Sequence, residues 1–137
     1  MDYKKQEEEF LQQIKKKMSK DNYAALTGVE IIKAAPGYAM TKLIITEQHL
    51  NAAGVVQGGA IFTLADYALA AAANYGAQTA LVIECQLSFI SSARGGILWA
   101  ETEQLADSKS FGSYAVRVTN EQSQLIAQYY GRVYKMR

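Results

Sequence analysis

Apolar residues recur along this chain in two different periods, and between them lies a stretch that is apolar almost throughout. Near the start, Phe10, Ile14 and Met18 stand four residues apart with Leu11 beside them, while Glu7–Glu9 and Lys15–Lys17 take the other faces. This spacing predicts a helix over Asp2–Met18, acidic at its start and basic at its end as the helix dipole prefers. Asp21 or Asn22 can cap a short turn through Tyr23–Leu26. Gly28–Ala35 and Tyr38–Thr46 read as extended segments joined by a tight turn at Pro36-Gly37, hence a hairpin. Glu47–Val56 reads as a loop. Beyond Gly76 the period becomes two: Leu81, Ile83, Cys85, Leu87 and Phe89 alternate with mostly polar neighbours, as in a strand with one covered face. Further strands are predicted over Ile97–Leu105, Phe111–Thr119 and Gln124–Tyr134, with turns at Ser92–Gly96, Asp107-Ser108-Lys109 and Asn120–Ser123.

The intervening stretch, His49–Gly76, reads HLNAAGVVQGGAIFTLADYALAAAANYG. Alanine is the best helix former and glycines stand at the entry, so a helix over Gly58–Tyr75 is predicted, with Gly76 as its stop. A helix apolar on almost every face must be buried. The predicted order is helix, hairpin, buried helix and a four-strand meander, its short turns implying antiparallel neighbours. That is an α+β layout, an antiparallel sheet of about six strands curled around one long buried helix: the hotdog arrangement. Residues 1–20 form an N-terminal helical extension and 21–137 a single domain. The sheet face away from the helix still carries apolar residues, so partner subunits are expected.

Composition narrows the function classes. The chain has 137 residues, room for one domain with a real core. Fourteen basic against 13 acidic residues leave a net charge of +1, which gives no reason to propose a nucleic acid or an anionic membrane as partner. Cys85 is the only cysteine, which excludes an intramolecular disulfide and a cysteine metal cluster and fits a reducing compartment. The N-terminus is charged from residue 2 and has no apolar core of a signal peptide, and no apolar run of membrane-spanning length is unbroken. A cytoplasmic protein without metal or cofactor is expected.

The candidate chemistry lies in the central helix. Asp66 is its only charge, and Gly59, seven positions earlier, shares nearly the same stripe. Gly59 falls in the first turn, where backbone N–H groups lack intrahelical partners and the dipole favours negative charge. Such a terminus can polarise a carbonyl and hold the oxyanion formed when it is attacked. Asp66 is a base or nucleophile suited to driving the attack. At ~1.5 Å of rise per residue the two are about 10 Å apart along the axis, whereas groups acting on one carbon stand roughly 3 Å from it. Either a second copy supplies one of them, or they are unrelated.

His49–Asp66, H-L-N-A-A-G-V-V-Q-G-G-A-I-F-T-L-A-D, closely resembles the signature N-x-x-G-x-x-H-G-G-x-x-x-x-L-A-D of hotdog-fold acyl-CoA thioesterases of the phenylacetate-degradation (PaaI-like) type. The resemblance extends more weakly over Asp21–Met136: Leu87–Gly96 stands where members have F-x-x-P-A-x-x-G, and Ser108–Val118 is similar to their G-x-x-x-x-x-Y-x-V-x-V strand. It implies hydrolysis of an acyl-CoA thioester to a free acid and a thiol. Asp66 matches the catalytic carboxylate. Gly59 matches the glycine whose N–H polarises the thioester carbonyl, and Asn51 the asparagine that helps hold that carbonyl or the attacking water. Gly59 and Asn51 would come from one subunit and Asp66 from its partner, so a homodimer is expected at minimum and a homotetramer beyond it.

Two positions depart from the pattern. Gln57 replaces the histidine before Gly58-Gly59; its amide can donate to a carbonyl but does not titrate near neutrality. Val82 stands where some members place a serine or threonine that orients water. Both departures support the alternative of a catalytically weak acyl-thioester binding protein on the same scaffold. A dehydratase is disfavoured, because it needs a histidine base and His49, the only histidine, lies outside the helix entry. Gly58, Arg94 and Lys109 are candidate substrate contacts, with Arg132 and Lys135 further basic residues in reach of coenzyme A phosphates. Each singled-out residue also has a plain reading: Asp66 bonding a loop, Asn51 bracing one, Gly58-Gly59 permitting close packing, His49 structural, Cys85 core packing, Lys15–Lys17 a solvated face.

Overall fold

In the computed structural model, which describes residues 2–136, three helices and six strands follow the predicted order. Helix α1 covers Tyr3–Lys17, with Asp2 as its cap through the Lys5 N–H, and Met18–Lys20 continue it as a 3-10 turn. Phe10, Leu11, Ile14 and Met18 turn inward onto the core, as their spacing requires. The Lys15–Lys17 run is not wholly solvated: Lys17 Nζ donates to the carbonyls of Gly76 (3.1 Å) and Gln78 (2.6 Å), tying the end of α1 to that turn. Asp21 caps α2 (Asn22–Thr27), and Gly28 ends it in the left-handed conformation, φ 93°, where a Cβ would be strained.

Strands β1 (Glu30–Ala35) and β2 (Tyr38–Ile44) form the predicted hairpin. Helix α3 spans Gly58–Ala73, and β3 (Thr79–Phe89), β4 (Ile97–Asp107), β5 (Phe111–Thr119) and β6 (Leu125–Met136) follow. All six strands form one antiparallel sheet in the order β1-β2-β4-β5-β6-β3. This corrects the meander: β4, β5 and β6 are sequential neighbours, but β3 pairs with β6 and β4 with β2. The β3–β4 connection is no hairpin turn. It crosses the end of the sheet, where Ile90 and Ser91 donate to the Ile126 carbonyl and Ala93 accepts from Val56.

The inner face of the sheet packs on α3, where Leu64, Ala65, Ala68, Leu69 and Ala71–Ala73 have essentially no exposure. The helix is not enclosed all round, however. Gly59, Phe62, Thr63, Asp66 and Ala70, at helical spacing, form a single stripe that the sheet leaves open. The helix also ends earlier than predicted. Asn74, not Gly76, is its cap, and its buried side chain accepts from Ala80 N–H (2.8 Å) and donates to the Ala70 and Ala80 carbonyls.

Strand β3 is a sheet edge, so alternation there does not mean burial. Ile83 is 56% and Phe89 58% exposed, and Cys85, expected in the core, is exposed as well. On the outer face, Leu105, Phe111, Tyr130 and Tyr134 are open apolar surface, as the sequence suggested. No helix among the described residues is long and apolar enough to cross a membrane. Replacing Asn74 by alanine strands the buried polar groups of Ala80, and a loss of about 2 kcal/mol is expected, read as a lowered denaturation midpoint with an unchanged slope.

Candidate active site

The loop before α3 is held by its own backbone. Leu50 pairs with Val56, Gln57 N–H donates to the His49 carbonyl, and Gly54 takes the left-handed conformation at φ 77°. His49 Nδ1 accepts from the Thr46 N–H (2.9 Å), so Nε2 carries the proton and donates to the Thr27 carbonyl (2.6 Å). That pins the loop to the end of α2, the structural role expected of the only histidine. Asn51 Oδ1 accepts from the N–H groups of Ala53 (2.9 Å) and Val55 (3.2 Å). Asn51 therefore braces the loop, and among the described residues its Nδ2 donor has no acceptor.

At the helix start, Gln57 is the cap: its Oε1 accepts the Gly59 N–H. A backbone donor calls for the oxygen end of the amide, so the –NH2 end faces outward as a donor. The Gly59 amide is thus engaged by Gln57. Among the described residues, nothing accepts from the Gly58 N–H. A groove of about 360 Å³ opens on this amide, lined by Asn51, Gly58, Ile61, Phe89, Ile90 and Ser91. A Cβ at position 58 would lie 2.8 Å from Phe89 Cζ, so any larger residue there must displace the exposed Phe89 ring. A second groove, of about 440 Å³, flanks the other side of the helix start, between Gln57, Gly59 and the exposed Tyr23 and Leu26 of α2.

Asp66 is half-buried on the open stripe of α3. Tyr129 Oη, from the wholly buried Tyr129 on β6, donates to Asp66 Oδ1 at 2.7 Å. Burial pushes the Asp66 carboxyl above its ordinary value of 3.8; the Tyr129 hydrogen bond pulls it down, and the negative charge of Asp21 adds to the rise. The sequence reading missed Tyr129. Its signal lay in the period of β6, where Ala127, Tyr129, Gly131 and Val133 face inward and a buried phenol needs an acceptor. Neither groove at the helix start reaches Asp66.

The basic candidates separate. The Arg94 guanidinium lies beside the loop at Gly54, close to the helix start. Lys109 sits in the β4–β5 turn, which the strand register places at the opposite end of the sheet from Phe89 and Gly58. Lys135 is buried and committed to Asp107 and the Ser108 carbonyl, and Arg132 lies 4.5 Å over the Phe111 ring. Lys135 is therefore not a free phosphate ligand. Among the described residues, no three His, Cys, Asp or Glu side chains are grouped to hold a metal.

Comparison with known proteins places the fold. The profile described as Thioesterase superfamily matches residues 53–127. The acyl-coenzyme A thioesterase PaaI of Escherichia coli is 29% identical over 85% of this chain and 84% of its own. A protein of Archaeoglobus fulgidus whose name proposes an esterase is 35% identical over 85% of this chain and 76% of its own. The solved structure of E. coli PaaI superposes with a TM-score of 0.89 at 27% identity, covering 94% of this chain and 95% of that one. The sheet-around-helix layout is thus that of the hotdog fold.

The Asp66 shift has a consequence for stability. Because the folded carboxyl binds its proton more tightly than the unfolded one, its contribution is fully present below about pH 4 and is lost as pH rises through the folded value. Asp66→Asn stays neutral, so its thermal midpoint is expected to gain on the wild type as pH rises from about 4 through the folded value of the carboxyl, and to hold level above it. A constant gap across that range would remove the shift.

Proposed function

The chain belongs to the thioesterase superfamily and is a thioester hydrolase, and we propose that it cleaves an acyl-CoA to a free acid and CoA at a site shared between two subunits. The observation that carries this reading is the open stripe of α3, which holds a carboxylate at one level and amide donors at another, too far apart to serve one bond within one chain. A second copy brings the helix start of one protomer to the Asp66 of its partner. This makes a homodimer the smallest active unit, with the exposed outer sheet face available for a homotetramer.

In this reading the thioester carbonyl takes the place that Gln57 Oε1 holds on the Gly59 N–H, and the free Gly58 N–H lies beside it. Asn51 Nδ2 and the Gln57 –NH2 are further donors to the carbonyl or to water. Asp66 either takes a proton from water as that water attacks the carbonyl carbon, or attacks the carbon itself to give a mixed anhydride that water then opens. In both routes the carbon–sulfur bond breaks as the oxyanion collapses, and the thiolate leaves and is protonated. Arg94 is the basic residue nearest the helix start and the first candidate for a coenzyme A phosphate; Lys109 reaches the site only from a partner. A cytoplasmic location fits a CoA substrate.

A second reading, an acyl-thioester binding protein of low turnover, is favoured by the Gln57 cap, since substrate must compete with it for the Gly59 amide. Free-thiol release from a panel of acyl-CoAs separates the two. Asp66→Asn is expected to lower release about 10²–10⁴-fold with folding and assembly intact; tight binding without release by the wild type would support the second reading. The shared site has its own test. Gly59→Pro removes the N–H donor in a first turn that tolerates proline. Mixing Asp66→Asn chains with Gly59→Pro chains, each inactive alone, is expected to restore about a quarter of the wild-type sites, because half the dimers are mixed and each mixed dimer has one intact site. No recovery in proven mixed dimers would exclude sharing.

A further inference from the structure

Tyr129 sits where it controls how Asp66 is presented. Its ring has no exposure, and it lies edge-on to Phe62, centroids 5.7 Å apart at 67°. The space for it exists because residue 131 is glycine: a Cβ there would collide with Leu69 Cδ1 and lie 2.9 Å from Tyr129 Cε1 and 3.3 Å from its hydroxyl. The phenol is therefore fixed by packing on a central element rather than by the bond it makes. Among the described residues, its bond to Oδ1 is the only hydrogen bond that Asp66 receives.

We infer that Tyr129 is a positioning residue for thioester cleavage: it holds Oδ1 of Asp66 and leaves Oδ2 as the oxygen offered to the reacting carbon or water. This rests on the role given to Asp66 above. A carboxylate free to rotate offers either oxygen in many orientations, whereas one clamped by a rigid donor has a single productive presentation. The same bond sets proton affinity. Two further groups face the pair: Asp21 from the start of α2, and the Cys85 thiol from β3, which lies near the phenol. Burial and Asp21 both favour the protonated carboxyl, and the phenol opposes them. Burial and the adjacent carboxylate in turn push the phenol well above its usual range, so it stays a donor across working pH.

The test uses the full-length protein, an acyl-CoA that the wild type hydrolyses, and carbon-13 titration of the aspartate carboxyls with Asp66→Asn for assignment. Tyr129→Phe keeps the ring and removes the donor. The acid limb of kcat is expected to move up by about one pH unit, so that the rate on that limb falls about tenfold while KM stays within about twofold. The Asp66 resonance should titrate higher in parallel. 3-Fluorotyrosine at position 129, a nearly isosteric but stronger donor, should move both downward, and it serves equally should the phenylalanine variant fail to fold. A lowered melting temperature with the acid limb and the Asp66 titration both unmoved would overturn the inference, leaving the phenol a packing group. If the carboxyl titration moves but Asp66→Asn still turns over, the pairing stands, the role in cleavage falls, and the failure lies with the assignment of Asp66.

Discussion

An apolar helix has to be covered, and one sheet of six strands does not cover it completely. Most of the molecule follows from that mismatch. The Ala-rich faces of α3 can approach strands closely, and Leu64 and Leu69 fill the space between helix and sheet. The remaining stripe cannot reach the sheet, and it is there that the sequence places its exceptions: glycine at 59, threonine at 63 and aspartate at 66. A charge on the sheet-facing positions of this helix would be buried against the apolar core. Position 66 can hold one because it is half open and has a phenol beneath it.

The two ends of that stripe are organised by different means. At the helix start, donors are main-chain amides, and their direction is fixed by a loop that Asn51, His49 and Ala93 bind in several places. At Asp66 the donor is a side chain, and its direction is fixed by packing against Phe62 and over Gly131. Both arrangements form before any ligand arrives, so neither end must reorganise when charge develops at the carbonyl. The exception is Gln57, whose amide occupies one of the N–H groups and must rotate away if a carbonyl is to take its place.

The sequence carried the helix and its motif plainly, because alanine content, entry glycines and a single aspartate are local signals. Strand positions were legible too, within a few residues. Strand order was not. A turn short enough to force a hairpin specifies a neighbour, as Pro36-Gly37 does, but the segment from Ile90 to Gly96 is long enough to cross the sheet end. Cys85 was misread for a related reason: alternation tells which side a residue faces, not whether anything lies on that side. It lies opposite Gly131 on an edge strand, where its side chain stays exposed. Asn74 was passed over for Gly76 because glycine is the commoner stop, whereas here a side-chain amide bridges helix and strand. Tyr129 stayed hidden since its partnership joins residues far apart in the chain.

The two borders of the sheet are treated differently. Helix α1 packs beside β1, while β3 keeps an uncovered border with apolar side chains along it. Main-chain groups on such a border invite a further strand from any source. One irregularity limits the choice. The break in pairing between Val82 and Glu84 inserts an additional residue and bends the strand, so that a uniform ribbon laid alongside would fall out of step partway. A kink of this kind acts as a key: it admits a partner whose own irregularity matches and disfavours runaway growth of the sheet into a fibril.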